Sequence, residues 1–92
     1  MDIYEQIVAK IIRSQEAIIG PVAVEQAEQV PNLKVDWSKH EASISGDEAK
    51  AIDQLIEKYK ELFGQISVEV SKEAASKLLS QLSPGQLPKS LE

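Results

Sequence analysis

Several chemically useful residue types are missing or nearly missing from this chain of 92 residues. There is no cysteine, which excludes disulfides, thiolate metal ligands and thiol nucleophiles. His40 is the single histidine, so one chain cannot build a pair of catalytic histidines or a multi-histidine metal site. A nucleophile, a base and an orienting group are hard to assemble from what remains. We therefore expect a protein that is not an enzyme and holds no cofactor.

Clustered positive charge and long apolar runs are also missing. Ten basic residues stand against fifteen acidic ones, the formal net charge is −5, and Arg13 is the single arginine. Such a chain repels phosphate backbones and anionic headgroups, so we expect neither a nucleic-acid nor a membrane partner. No apolar run approaches the ~20 residues of a membrane helix, and Asp2 and Glu5 stand where a signal peptide would be positive. These features favour a cytoplasmic protein.

Glycine and aromatic residues are sparse. The four glycines, Gly20, Gly46, Gly64 and Gly85, are isolated, so neither a phosphate-binding loop nor a dinucleotide fingerprint is present. Aromatic residues make up 4% of the chain against 42% hydrophobic residues, which predicts an aliphatic core.

A helical spacing of apolar residues opens the chain. Residues 2–19 carry them at intervals of three and four, which predicts an amphipathic helix with a wide apolar stripe: Ile3, Tyr4, Ile7, Val8, Ile11, Ile12, Ile18 and Ile19. At Gly20 and Pro21 the helix either stops, with a second short helix running to Gln29, or continues with a kink. Two helical pieces with a bend are favoured, because Gly20 eases the break.

From Leu33 onward, apolar residues recur at every second position. Leu33, Val35 and Trp37 alternate with polar residues, and Ala42 and Ile44 do the same after a polar loop. Alternation of this kind predicts a hairpin of two short strands, each with one apolar face. The turn has no Asn-Gly signature, so its register stays open by a residue or two.

The clearest element is a helix from Asp47 to Gly64. Asp47 can cap its first turn and Gly64 can close its last one. Its apolar stripe falls at helical spacing and consists of Ala49, Ile52, Leu55, Ile56, Tyr59, Leu62 and Phe63.

Two interpretations remain for the residues after Gly64. Ile66, Val68 and Val70 alternate with Ser67 and Glu69, which favours a third strand rich in branched residues. A helix running straight on also fits their spacing. In either case a last helix follows, with Ser71 as a possible cap and Leu82 near its end.

These elements predict an α+β fold in the order helix, strand, strand, helix, strand, helix. A bent amino-terminal helix and two others would cover a small three-stranded mixed sheet of order two, one, three. The crossover through a helix makes the second and third strands parallel. Residues 1–85 form one domain, and residues 86–92 are expected to be a flexible carboxyl-terminal tail.

The first helix carries more large aliphatic side chains than such a sheet can cover. We expect the surplus to be buried by a second copy, through Ile7 and Ile11 of this helix or through a strand edge. The sequence therefore predicts a small non-enzymatic protein-interaction or regulatory domain acting as a homodimer. The partner protein is not identified by any motif.

The hairpin offers two further partner-binding candidates, Trp37 and His40. Trp37 ends an apolar alternation, which favours the core, while an aromatic anchor at the rim is the alternative. His40 lies between Asp36 and Glu41, which could hold a cation across a dimer, although a solvated loop explains it more simply. An alternative function is thus a small-molecule or metal-binding module with its pocket at a dimer interface.

Overall fold

The first part of the chain forms a bent pair of helices. The computed structural model describes residues 1–92, with α1 over Ile3–Ile19 and α2 over Val22–Glu28. Asp2 begins α1, since its Oδ1 accepts the Glu5 backbone N–H at 2.9 Å, and Glu5 Oε1 accepts the Asp2 backbone N–H at 3.0 Å. This reciprocal capping box satisfies two amides that have no partner inside the helix.

The break between α1 and α2 lies at Gly20 and Pro21. Gly20 adopts a φ of 76°, a left-handed conformation that favours glycine, and Pro21 stands directly before α2. Proline has no N–H to continue the hydrogen-bond ladder of α1. The favoured prediction, two helical pieces with a bend, is confirmed.

The next residues form an antiparallel hairpin, as predicted. The strands are β1, Leu33–Asp36, and β2, Glu41–Ile44. Val35 lies opposite Ala42, and a 3-10 turn over Trp37–Lys39 connects the strands through His40, whose φ is 53°. The alternate side chains of both strands pack on α1 and α2.

Two long helices complete the architecture. They are α3, Glu48–Phe63, and α4, Gln65–Leu79. Asp47 Oδ1 accepts the Lys50 backbone N–H at 3.1 Å at the start of α3, and Gly64, with a φ of 76°, separates α3 from α4. The predicted helix is confirmed, but Leu62 of its predicted apolar stripe is 53% exposed, because it lies at the edge of the face that packs on the core.

The predicted third strand is wrong, because Ile66, Val68 and Val70 lie in α4. Branched residues weaken a helix by only about 0.5 kcal/mol each, which the packing of α4 along α1 outweighs. In this arrangement Ser67 and Ser71 are buried one turn apart. The α+β class is confirmed, but the sheet has two antiparallel strands, so the order two, one, three and the parallel crossover do not occur.

The central element of the fold is α1, which contacts α2, β2, α3 and α4. It runs antiparallel to α4, since Gln15 bonds to Ser67 and Ser71, while the Tyr4 hydroxyl donates to the carbonyl of Gln86 at 2.7 Å.

The apolar core is aliphatic apart from Tyr59. Its largest fully buried apolar side chains are Ile7, Val8, Ile11, Ile12, Val30, Ile52, Leu55, Ile56 and Tyr59.

The end of the chain packs on the domain. A 3-10 turn over Lys89–Leu91 follows Pro88, and Pro88 and Leu91 are both buried. Ser90 donates from its backbone N–H and its hydroxyl to Asp53 Oδ1, at 2.9 and 2.5 Å. In the structure, residues 88–91 are therefore anchored on α3 rather than extended away from it.

Candidate functional site

Ile7 and Ile11 are part of the core of the chain itself. Both side chains are completely buried. The surplus apolar surface of α1 is covered by α4, which the sequence interpretation had partly assigned to a strand. Neither residue presents surface to a partner in this structure.

Trp37 and His40 lie together in the turn of the hairpin. Trp37 is half-buried, and its Nε1–H donates to Glu16 Oε2 at 2.9 Å. His40 is exposed, and its ring meets the edge of the indole with the ring centroids 4.9 Å apart. Trp37 thus fixes the turn to α1, and His40 is the more accessible of the two.

Within one chain, Asp36, His40 and Glu41 are not grouped as metal ligands. Asp36 accepts the Ser38 hydroxyl at 2.7 Å. Across the chain, no three His, Asp or Glu side chains are arranged to hold a metal ion.

A groove of about 670 Å³ lies beside the hairpin, between the start of α1 and the end of α2. We call it the hairpin groove. Its apolar lining consists of Met1, Leu33, Val35 and Ala42. Its charged lining consists of Glu5, Glu28, Asp36, Glu41 and Lys34. Four carboxylates against one ammonium group give it a negative potential.

The outer edge of β2 borders the hairpin groove, and the side chains of Met1 and of Glu5 in α1 cover its amides. The Ile44 N–H donates to Glu5 Oε2 at 3.0 Å, a strong acceptor. The Ala42 N–H has only the sulfur of Met1 as acceptor, at 3.3 Å. A thioether is a weak acceptor, and Met1 is 52% exposed. This edge is therefore closed by a strong acceptor at Ile44 and by a weak acceptor at Ala42.

A second surface runs along the outside of α1 and α4. A groove of about 490 Å³ between these helices is lined by Ser14, Ala17, Ile18, Val70, Glu73 and Ala74. Ile18 is 64% exposed and Ile66, one turn before Val70, is 71% exposed. Together these residues form what we call the α1–α4 face.

Opposite charges flank the α1–α4 face. Lys10 and Arg13 are exposed on α1, one to two turns before Ala17. Glu69 and Glu73 are exposed on α4, on either side of Val70. One side of the face is thus basic and the other side carries two acids.

A pair of carboxyl groups joins the starts of α1 and α3. A hydrogen bond with the Asp2 side chain, together with burial and the charge of Asp2, raises the pKa of Glu48 to about 7. The same hydrogen bond lowers the pKa of Asp2. Glu48 Oε2 is buried and no N–H or O–H group of the chain donates to it, which favours the protonated form of this carboxyl. Neither acid lines the hairpin groove or the groove of the α1–α4 face.

The two tyrosines have structural partners. The Tyr59 hydroxyl donates to the Ala23 carbonyl at 2.7 Å, and burial raises the pKa of this phenol. Burial, followed by the charge of Glu48, raises the pKa of Tyr4. Both phenols stay protonated near neutral pH and tie helices together.

The sequence interpretation missed the buried polar cluster of Gln15, Ser67 and Ser71. Gln15 Nε2 donates to the Ser67 carbonyl at 3.0 Å and to Ser71 Oγ at 3.2 Å. The signal was present, because Gln15 follows Ile11 and Ile12 at helical spacing and therefore lies on the apolar stripe of α1. It also missed Ile18 and Ile66 as exposed residues, since both share the spacing of buried neighbours.

None of the helices is both long and apolar enough to cross a lipid bilayer. No family model, curated protein or solved structure matches the chain.

Proposed function

We propose that this protein is a small non-enzymatic interaction or regulatory domain that acts as a homodimer through the α1–α4 face. The observation that carries the proposal is the pair Ile18 and Ile66, which leave 64% and 71% of their surface in water on adjacent helices. Large aliphatic side chains exposed together mark surfaces that bind other proteins.

A second copy is the occupant that fits the charges of the face. A two-fold axis between α1 and α4 sets each α1 against the α4 of the other copy. In such a dimer, Lys10 and Arg13 of each copy lie opposite Glu69 and Glu73 of the other copy. The face is self-complementary, and an interface of this kind closes as a dimer.

The free energy of apolar burial and the cost of association together favour a reversible dimer, whose population rises with protein concentration. Full burial of one isoleucine contributes about 1.5–3 kcal/mol, and about a third of each of these side chains is already buried, so the four of them contribute roughly 4–8 kcal/mol. Association costs on the order of 4–15 kcal/mol in lost motion. The two ranges overlap, so we expect exchange between monomer and dimer.

The non-enzymatic part of the proposal rests on the scarcity of reactive groups. The single histidine is exposed, both phenols are bonded structurally, and the carboxyl pair of Asp2 and Glu48 lies outside both grooves. We place the protein in the cytoplasm from its acidic, cysteine-free composition. The alternative of a small-molecule or metal pocket at the dimer interface has no comparable observation in its favour.

Sedimentation velocity across micromolar to millimolar concentrations tests the dimer. We expect the sedimentation coefficient of the unaltered chain to rise with concentration, and Ile18→Asp or Ile66→Asp to abolish the rise. Arg13→Glu should weaken the dimer, and adding Glu73→Arg should restore it, because the two charges meet across the interface. Lys34→Glu, an exposed base on the hairpin, is the matched control.

Two results would contradict this proposal. One is a monomer at every concentration. The other is a dimer that survives both aspartate variants, because it would have to use another surface.

A further inference from the structure

We infer that the hairpin groove is the docking site for an extended, basic peptide segment of a partner protein, which adds as a strand along β2. This inference rests on the proposed function, because it names the class of partner that an interaction domain of this shape would take. It uses a surface different from the α1–α4 face, so the two can be tested separately.

The apolar lining suits a small aliphatic side chain of the peptide. Leu33 and Ala42 form the buried part of the groove and Val35 remains half-buried. Met1, 52% exposed, covers them loosely. Because Leu33 and Ala42 are only 5% and 3% exposed, a valine-sized side chain placed here would replace water mainly against Val35 and Met1.

The backbone edge suits an extended chain. In the register of the hairpin, Ala42 and Ile44 point their amides away from β1. A peptide carbonyl would give the Ala42 N–H a stronger acceptor than the Met1 sulfur. Edge strands bind extended peptides in this way, with the backbone supplying affinity and side-chain pockets supplying specificity.

The charges around the groove select a basic peptide. Glu28 and Glu41 are exposed at its border, and Asp36 lies opposite Glu41 across the strands. Lys34 is the one basic side chain of the lining. Lysine or arginine flanking the aliphatic residue would relieve the repulsion between these carboxylates.

The same charges argue against a second copy in this groove. Two copies meeting here would bring four carboxylates from each side together in a chain that already carries a net charge of −5. Like charges in contact disfavour association. A partner of opposite charge is therefore the better occupant.

Nitrogen–proton correlation NMR of the full chain, titrated with blocked octapeptides, tests this inference. The probes are alternating lysine and valine, alternating glutamate and valine, and alternating lysine and serine. We expect the lysine–valine peptide to shift the Ala42 and Ile44 amides and the glutamate–valine peptide to leave them unchanged. The lysine–serine peptide should bind at least about tenfold more weakly, because it lacks the apolar side chains.

A matched pair of double variants tests the charges. Glu28→Lys with Glu41→Lys should weaken binding of the lysine–valine peptide at least about tenfold, since two negative charges become positive. Glu57→Lys with Glu61→Lys makes the same change on exposed positions of α3 and should leave binding within about twofold. Circular dichroism checks that each variant is folded.

Several results would overturn the inference. They are no shift with the lysine–valine peptide, equal binding of the acidic peptide, and unaltered binding in the Glu28 and Glu41 variant. A shift of Ala42 with protein concentration alone would assign the groove to a second copy instead. A monomer that binds the peptide would overturn only the homodimer, and a dimer that does not bind it would overturn only this site.

Discussion

At the scale of single residues, the carboxyl pair of Asp2 and Glu48 links the fold to pH. The pKa of Glu48 is raised from 4.5 to about 7, so the folded chain holds a proton that the unfolded chain has already released in this range. Protons therefore favour the folded state between these values, and stability falls as the pH rises from about 4.5 to about 7. Above that range two carboxylates repel each other between the starts of α1 and α3.

Glu48→Gln is expected to remove this pH dependence, because an amide can donate to Asp2 at any pH. The measurement is the free energy of unfolding from urea titrations between pH 4.5 and 8. Glu57→Gln, an exposed position of the same helix, controls for the loss of one negative charge. If the free energy of unfolding of the variant still falls with pH as steeply as that of the unaltered chain, another titratable group is responsible for the pH dependence.

The buried amide of Gln15 makes a second prediction at this scale. Gln15→Leu keeps most of the volume but leaves Ser71 without its donor, so we expect a loss of about 1–3 kcal/mol. Ser71→Ala in the same chain removes the oxygen that has lost its donor, together with the bond that the Ser71 hydroxyl donates to the Ser67 carbonyl at 2.8 Å. Because the Gln15–Ser71 bond is lost only once, the double variant should be more stable than the sum of the single changes predicts. Urea unfolding of the four proteins measures this coupling. Strict additivity would mean that Gln15 and Ser71 do not act together.

At the scale of elements, local chemistry determined what could be predicted. Asp2 and Asp47 as caps, the break at Pro21 and the closing position of Gly64 each act within one helical turn. Their effects can therefore be predicted from neighbouring residues. The hairpin was predictable for the same reason, since alternation marks its faces.

Whether residues 66–70 form a strand or a helix depends on contacts with a distant element, so it could not be predicted from neighbouring residues. The spacing of Ile66, Val68 and Val70 fits both a strand and a helix. The helix forms because Ser67 and Ser71 then face Gln15, which lies 52 and 56 positions away. The error propagated to the site, because the helix that buries Ile7 and Ile11 was counted partly as sheet.

The carboxyl-terminal segment gives a prediction at the element scale. Leu91 is 5% exposed and Ser90 is bonded to Asp53, so Leu91→Ala should lower the free energy of unfolding by about 2 kcal/mol. Thermal or urea unfolding measures the change, and Glu92→Ala, at an exposed neighbouring position, is the control. An effect below about 0.5 kcal/mol, typical of surface positions, would support the flexible tail predicted from the sequence.

At the scale of the whole molecule, the two proposed surfaces are well separated. Glu5 borders the hairpin groove and Ile18 belongs to the α1–α4 face, and their separation of thirteen positions along α1 corresponds to about 20 Å. A dimer through the α1–α4 face would leave both hairpin grooves accessible. A partner with two basic segments would then gain from binding both at once.

The central position of α1 also has a consequence for synthesis on the ribosome. α4 begins at Gln65, 46 residues after the end of α1 at Ile19. At about 5–20 residues per second, α1 emerges several seconds before the helix that covers it. Throughout that interval its row of isoleucines is exposed on the nascent chain. A cell that makes this protein in quantity therefore has to shield α1 during translation, and chaperone contacts should concentrate on that segment.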